Sequence, residues 1–258
     1  YRLSVGNSEH FVWMHDFGLA VRSGVFVDIA KIKPLFENAL HGVLKGEMEN
    51  DGFNKLIIAA KLNWHQIFLL RGYCKYLLQI SIPYSQSYLE NTLERHPDIT
   101  QSIVNLFELK FDPKLQKIST KKFNQQFKLI VKALNAVPSL DEDRIFRKYV
   151  NLVLATLRTN YFQNYDDGSP KFYLSFKIDS KNLADVPVPR PHVEIFVHST
   201  KVDAVHLRGG KVSRGGIRWS DRKEDFRTEI LGLMKSQMTK NAIIVPVGAK
   251  GGFIIKQQ

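Results

Sequence analysis

The chain has little cysteine and no long apolar run. Its 258 residues contain one cysteine, Cys74, which excludes a disulfide framework and predicts a reducing, cytoplasmic compartment. Because Cys74 lies inside the apolar helical pattern LLRGYCKYLL, we expect it to fill the core rather than to act as a nucleophile. Every apolar run is shorter than the roughly 20 residues that cross a bilayer, so no membrane partner is predicted.

Motifs for bound nucleotides, metals and serine nucleophiles are also missing. The sequence has no G-x-x-x-x-G-K-[ST] phosphate loop, and no G-x-G-x-x-G follows a predicted strand. Its eight histidines show no H-x-x-x-H or H-E-x-x-H spacing and no cysteine pairing, so no metal site is predicted. The absence of G-x-S-x-G argues against nucleophilic catalysis by a serine.

Positive charge is in excess, with 37 lysines and arginines against 25 acidic residues and a net charge of +12. Such an excess suits nucleic acid, an anionic membrane or small acidic substrates. The most basic stretch, residues 113–132, has no acidic residue, but its Leu, Ile, Phe and Val recur at helical spacing. We interpret it as the solvated face of an amphipathic helix. A nucleic-acid-binding module is therefore the last of the functions considered, and no nucleic-acid partner is predicted.

The first half of the chain has a helical pattern. Apolar residues recur at three-four spacing over residues 29–47, 63–79 and 139–157, which predicts a helix in each stretch. Two of these stretches open with the capping-box spacing of a helix start, Asn63-x-x-Gln66 and Ser139-x-x-Glu142.

The segment before these helices has a different pattern. Its runs HFVWMHDF and GVFVDI are more typical of strands. We expect a strand-rich segment at residues 1–27 and a helical module at residues 28–162.

The pattern changes again after the turn sequence DDGSP. KFYLSFKI alternates like a strand, HVEIFVH and VDAVHL are short β-branched runs, and AIIVPV predicts a buried strand. Between them, Ser220 and Asp221 are expected to open a helix that runs to about Lys240. Strand, glycine turn, helix and strand in succession indicate α/β organisation. The fold class is therefore α+β and mostly helical, with an α/β part at residues 170–258.

One lysine, Lys250, stands among three glycines in VPVGAKGGF, and we expect a turn there at the end of a strand. Other polar groups occur near glycines or on the preceding helix: Arg214, Arg218, Gln237 and Lys240. If these groups converge, they would suit a small dicarboxylate, because guanidinium and ammonium groups form charge-assisted bonds with carboxylates. Spacing alone leaves open the alternative of scattered surface cations.

The run RGGIRWSDRKEDFRTEILGLMKSQMTKNAIIVPVGAKGGF resembles the substrate-domain signature of amino-acid dehydrogenases, and more closely that of the large NAD-specific glutamate dehydrogenases of bacteria. The likeness extends upstream through ENDGFNKLIIAAKLNWHQIFLLRGYCKYLLQ, PKFYLSFKI and PRPHVEIFVHS. It implies a substrate domain of the amino-acid dehydrogenase type after the helical module. It also implies NAD-dependent oxidation of L-glutamate to 2-oxoglutarate and ammonium, in a full-length enzyme that forms a homo-oligomer.

The resemblance implies roles for single residues. Lys250 takes the position of the catalytic lysine, and Lys240 with Gln237 takes the position that binds the substrate α-carboxylate. Arg214 falls where smaller glutamate dehydrogenases have a lysine that holds the side-chain carboxylate. Supporting positions follow from the same likeness: Gly216, Arg218, Gly248, Gly251 and Gly252.

Two parts of the family pattern are expected beyond this chain. The catalytic aspartate and the dinucleotide-binding domain should follow the GAKGG motif, so the NAD site is expected outside these residues. Because the chain starts at Tyr1 and ends at Gln258, we expect a fragment of a longer enzyme that is inactive by itself. The alternative is a non-catalytic remnant that acts as an assembly or regulatory module.

Overall fold

The structure is a computed structural model that describes residues 2–4, 11–14, 16, 18, 28–115, 119–183, 185–239 and 246–256. Near the N-terminus, β1 (Arg2–Ser4) pairs with β2 (Phe11–Trp13) in antiparallel register. β2 lies in HFVWMHDF, where the sequence predicts a strand. The other strand-like run, GVFVDI, lies outside the described residues up to position 27, and its last residue, Ile29, begins a helix.

Helices follow through the rest of the first half, as the three-four spacing predicts. They are α1 (Ile29–Leu44), α2 (Leu56–Ala59), α3 (Trp64–Gln79), α4 (Gln86–Arg95), α5 (Pro97–Phe111), α6 (Ser119–Leu134) and α7 (Leu140–Ala155).

The two predicted helix starts differ in detail. The Asn63 and Gln66 side chains each accept a hydrogen bond from the other's main-chain N–H, over 2.9 and 3.1 Å, which confirms a capping box at the start of α3. Ser139 Oγ caps α7 by accepting from the N–H of Glu142 over 3.4 Å. The Glu142 carboxylate binds His96 and Arg95 on a neighbouring helix boundary. The helix start at Ser139 is therefore confirmed, but Glu142 serves packing between helices.

The predicted end of α7 at residue 157 is wrong. The helix ends at Ala155, and β3 (Thr156–Thr159) follows at once, with Leu157 47% exposed. The Lys110 ammonium donates hydrogen bonds to the carbonyls of Val153, Leu154 and Thr156 at distances of 2.7–2.9 Å. These bonds satisfy carbonyl groups at the helix end that have no helical N–H partner. The three-four spacing of the sequence does not show that the chain changes from helix to strand at Thr156.

The second half forms a mixed sheet. Its further strands are β4 (Tyr173–Ile178), β5 (Val193–Ser199), β6 (Val202–Arg208), β7 (Ser213–Arg214), β8 (Ile217–Trp219) and β9 (Val247–Ile255). The strands lie in the order β3-β4-β5-β6-β9-β7, and β8 also pairs with β9. Neighbours are antiparallel from β3 to β9, whereas β7 and β8 run parallel to β9.

The expected turn at GAKGG is wrong. Lys250 and its glycines lie inside β9, which begins at Val247, while residues 242–245 of AIIVPV lie outside the described part of the chain. β9 is hydrogen-bonded to β6 on one edge and to β7 and β8 on the other. Pairing along both edges outweighs the low strand preference of glycine.

The helix α8 (Phe226–Thr239) packs on β9. It begins later than the expected start at Ser220, whose N–H donates instead to the carbonyl of Phe253 over 2.8 Å. Five apolar residues recur at three-four spacing along this stretch, which predicts a buried stripe. Of these, Phe226, Ile230 and Met234 are buried and Leu233 is partly buried, but Met238 is 39% exposed.

Both halves contribute to one hydrophobic cluster. Tyr73 of α3 packs against Phe176 of the sheet with tilted rings, and Tyr76 packs edge-to-face against Phe196, with ring centroids 4.5 and 5.5 Å apart, respectively. Cys74 is buried in the same cluster, as expected. The fold class α+β, with helices first and a mixed sheet second, is confirmed. Among the helices that the structure describes, none is long and apolar enough to cross a membrane.

Candidate functional site

Lys250 lies on the face of the sheet that packs against α8. Strand side chains alternate between the two faces, so Lys250 shares its face with Gly248 and Gly252. A Cβ atom added to Gly248 would lie 3.1 Å from Gln237 Oε1, and one added to Gly252 would overlap the side chain of Ile230. The two glycines therefore let α8 approach the strand, and the partly buried Lys250 lies between them.

The loop that carries Arg214 runs along the other edge of β9. Arg214 pairs with Gly248 in parallel register, and the N–H of Gly251 donates to the carbonyl of Gly216 over 3.0 Å. Paired residues of neighbouring strands point to the same face of a sheet. Arg214 therefore belongs to the face that carries Lys250, so the fold brings together two cations that are 36 residues apart in sequence.

Gln237 approaches this group from the last turn of α8. Its Oε1 atom is buried and has no hydrogen-bond partner among the described residues. Leaving such an atom unpaired costs about 1–3 kcal/mol, so a partner for the amide is expected at this position. Lys240, predicted to act with Gln237, lies outside the described residues.

Arg218 is bound to α8 by an acidic residue that the sequence analysis missed. Its Nη1 atom lies 3.3 Å from Glu229 Oε1, and Ser220 Oγ donates to Glu229 Oε2 over 2.6 Å. Glu229 therefore connects the segment that follows the Arg214 loop to the helix that carries Gln237. The one available signal was an acidic residue directly beside the buried position Ile230.

Two cations that lie on this face, Arg214 and Lys250, are unpaired within the described ranges. Arg218, Arg222 and Arg227 each have a carboxylate partner, but no ion-pair partner is found there for Arg214 or Lys250. Unpaired cations on one face can accept an anionic ligand through charge-assisted bonds. Across those same ranges, no cluster of three His, Cys, Asp or Glu residues could hold a metal ion.

Family models match two parts of the chain. Residues 129–258 match the model described as bacterial NAD-glutamate dehydrogenase, catalytic domain. Residues 48–113 match the model described as glutamate dehydrogenase, helical motif 3. The resemblance inferred from the sequence is thereby confirmed.

Three curated relatives are NAD-specific glutamate dehydrogenases. The chain is 48% identical to that of Halomonas elongata over 250 residues, which cover 97% of this chain and 15% of that protein. It is 46% identical to that of Pseudomonas aeruginosa over 257 residues, covering 98% and 16%, respectively. For Mycobacterium tuberculosis the identity is 45% over 253 residues, covering 95% and 16%. The chain thus spans 15–16% of the length of these relatives.

Proposed function

The chain belongs to the bacterial NAD-glutamate dehydrogenase family, and we propose that it supplies the substrate-binding wall of a glutamate dehydrogenase active site. The reaction of the complete enzyme would be oxidation of L-glutamate to 2-oxoglutarate and ammonium with NAD. The observation that carries this proposal is the pairing of the Arg214 loop with β9. It puts on one face an arginine and a lysine, Lys250, that have no ion-pair partner among the described residues.

Each polar group on this face has a proposed task. The Lys250 ammonium would meet the α-carbon region of a substrate and hold or move a proton there. Gln237, together with Lys240, would bind the α-carboxylate. The Arg214 guanidinium would bind the side-chain carboxylate through two parallel hydrogen bonds. Its planar group suits this geometry better than the compact ammonium of a lysine does.

The described residues do not fit a dinucleotide. The strands β4, β5, β6 and β9, which are neighbours in that order, pair antiparallel. The sequence also has no G-x-G-x-x-G after a strand and before a helix. We therefore propose that NAD binds to residues outside this chain, and that the chain alone does not turn over. For the complete enzyme we propose a homo-oligomer in the cytoplasm.

We also propose the domain boundaries 28–162 and 170–258, after a strand-rich segment at 1–27. The change from helices to sheet falls near the second boundary, although β3, which pairs with β4, lies on its helical side. The catalytic-domain match begins earlier, inside α6, so α6 and α7 could belong with the sheet in the family.

A ligand titration tests the proposal. The purified chain is titrated with 2-oxoglutarate and, as a matched ligand without the distal carboxylate, with 2-oxobutyrate, while the amide NMR signals of residues 248–252 are followed. We expect saturable shifts with 2-oxoglutarate at about millimolar concentration, because half a cleft offers few contacts. Arg214→Gln should weaken the binding at least about tenfold, because a charge-assisted contact is lost, whereas Arg158→Gln, the same change at an exposed position of β3, should not. No shift in the parent, or equal affinity in Arg214→Gln, would contradict the proposal.

A further inference from the structure

The last residue of α3 holds the first turn of α8. Gln79 Nε2 donates to the carbonyls of Lys223 and Glu224, each over 3.1 Å, and its Oε1 atom accepts from the N–H of Arg227 over 3.1 Å. One buried amide thus contacts both sides of the point where α8 begins at Phe226. The helical half of the chain therefore sets where this helix starts.

A second contact fixes the direction of the same turn. The fully buried Arg227 guanidinium forms two hydrogen bonds with the fully buried Glu194 carboxylate of β5. Tyr76, one turn before Gln79 on α3, donates its hydroxyl to Glu194 Oε2 over 3.1 Å. A buried ion pair adds little net stability over apolar packing, but its directional bonds restrict how the groups can be arranged. We call Gln79, Tyr76, Glu194 and Arg227 the α8 clamp.

The α8 clamp acts at one end of the helix, and the proposed substrate contact lies at the other. Gln237 stands eleven residues beyond Phe226, which is about 16 Å along a helix. A tilt of about 4° at the first turn would move Gln237 by about 1 Å, and a misplacement of that size can cost about 10²-fold in rate. The close seat of α8 on Gly248 and Gly252 limits its height over β9, and the hydrogen bonds of Gln79 limit how far its first turn can swing across the sheet.

We propose that Gln79 and Tyr76 are positioning residues for the substrate site: they orient α8 and thereby hold Gln237 against Gly248, on the face of β9 that carries Lys250. The proposal gives the helical half a task in substrate binding, and it rests on the proposed function of the face around Lys250. Neither residue touches the substrate in this account.

Two tyrosines of α3 provide a matched comparison. Tyr76 and Tyr73 are both fully buried, and each hydroxyl is hydrogen-bonded to a side chain. The Tyr73 hydroxyl is bonded to Thr156 of β3 over 2.8 Å, outside the α8 clamp. Tyr76→Phe therefore removes a clamp contact, and Tyr73→Phe removes an equivalent contact that does not reach α8. Gln79→Leu removes three clamp contacts at once.

The four chains, parent included, are compared by amide hydrogen exchange and by 2-oxoglutarate titration. In Gln79→Leu we expect the protection of α8 amides to fall about tenfold more than that of α5 amides, and the affinity for 2-oxoglutarate to fall about tenfold. Tyr76→Phe should lower the protection of α8 and the affinity for 2-oxoglutarate as well, but by smaller factors. Tyr73→Phe should leave the ratio of α8 to α5 protection and the affinity unchanged.

Two results would overturn the positioning role, and a third would contradict the proposed function. An equal loss of protection in α5 and α8, or a loosened α8 with unchanged affinity, would overturn the positioning role. A parent chain that does not respond to 2-oxoglutarate would contradict the proposed function instead, and the exchange comparison alone would then decide whether the α8 clamp orients the helix.

Discussion

Gly215 lies directly against the main chain of Ala249, so closely that a Cβ atom on Gly215 would overlap the Ala249 carbonyl oxygen. The neighbouring glycine of the same pair, Gly216, has no atom within 4 Å of the corresponding position. The two glycines of the Arg214 loop therefore have different structural tasks. Only the first is required for the loop to pair with β9.

This difference predicts opposite outcomes for two adjacent substitutions. Gly215→Ala should lower the free energy of unfolding by about 3 kcal/mol, because a main-chain carbonyl cannot move aside without breaking the strand pairing. Gly216→Ala should change it by less than about 1 kcal/mol. Urea denaturation of both variants measures this. Equal destabilisation by the two would mean that the loop does not lie against β9 in this way.

A second pair of glycines tests the seat of α8. Gly252→Ala should destabilise the fold by about 1–3 kcal/mol, since the new methyl group would overlap the Ile230 side chain. Gly232→Ala, on the exposed side of α8, meets nothing within 4 Å and should stabilise the helix by up to about 1 kcal/mol. Thermal or urea unfolding checks the signs. A neutral Gly252→Ala would show that α8 packs farther from β9.

Much of the fold could be predicted from the sequence, because helix spacing and caps are local signals. The start of α3 at Asn63 and the buried stripe of α8 depend on residues within one or two turns of each other. The strand at Lys250 could not be predicted in this way, because three glycines give no local strand signal. Its conformation comes from hydrogen bonds to β6 and to β7 and β8.

The same distinction between local signals and long-range pairing applies to the candidate site. Lys250, Arg214 and Gln237 could be named from motif and resemblance. The shared face of Lys250 and Arg214 follows from a parallel register that no spacing reveals, and the place of Gln237 follows from the packing of α8 on β9. The α8 clamp was missed because its members are distant in sequence. Gln79 and Arg227, for example, are 148 residues apart.

His65 predicts how stability depends on pH. Its ring stacks on Tyr161 at 4.0 Å between centroids, and burial lowers the pKa of His65 from 6.5 to about 4. Between these two values the unfolded chain binds a proton that the folded chain does not, so the free energy of unfolding falls as the pH falls. The loss amounts to at most about 3 kcal/mol.

The substitution His65→Phe isolates this contribution. It keeps a flat ring against Tyr161 and removes the titrating group, so the variant should lose less stability than the parent between pH 6.5 and 4. Urea denaturation at a series of pH values measures the difference. Parallel curves for the two proteins would mean that His65 titrates alike in the folded and unfolded states.

Arg214 predicts the preference for a second carboxylate. In the complete enzyme, Arg214→Gln should raise KM for glutamate about tenfold or more, because the substrate loses a charge-assisted contact worth about 1.5–3 kcal/mol. The KM for 2-aminobutyrate, which has no side-chain carboxylate, should change little. Steady-state kinetics with both substrates checks the split. Equal rises would place Arg214 outside the side-chain pocket.

The central claim is that Lys250 takes part in the chemistry of glutamate oxidation, and kcat of the complete enzyme carrying Lys250→Ala tests it most directly. The variant should keep its fold, because the Lys250 side chain has no ion-pair partner among the described residues. Removal of a proton-transfer group should lower kcat at least about 10²-fold, with a much smaller effect on KM for glutamate. A variant with near-normal kcat would contradict the account.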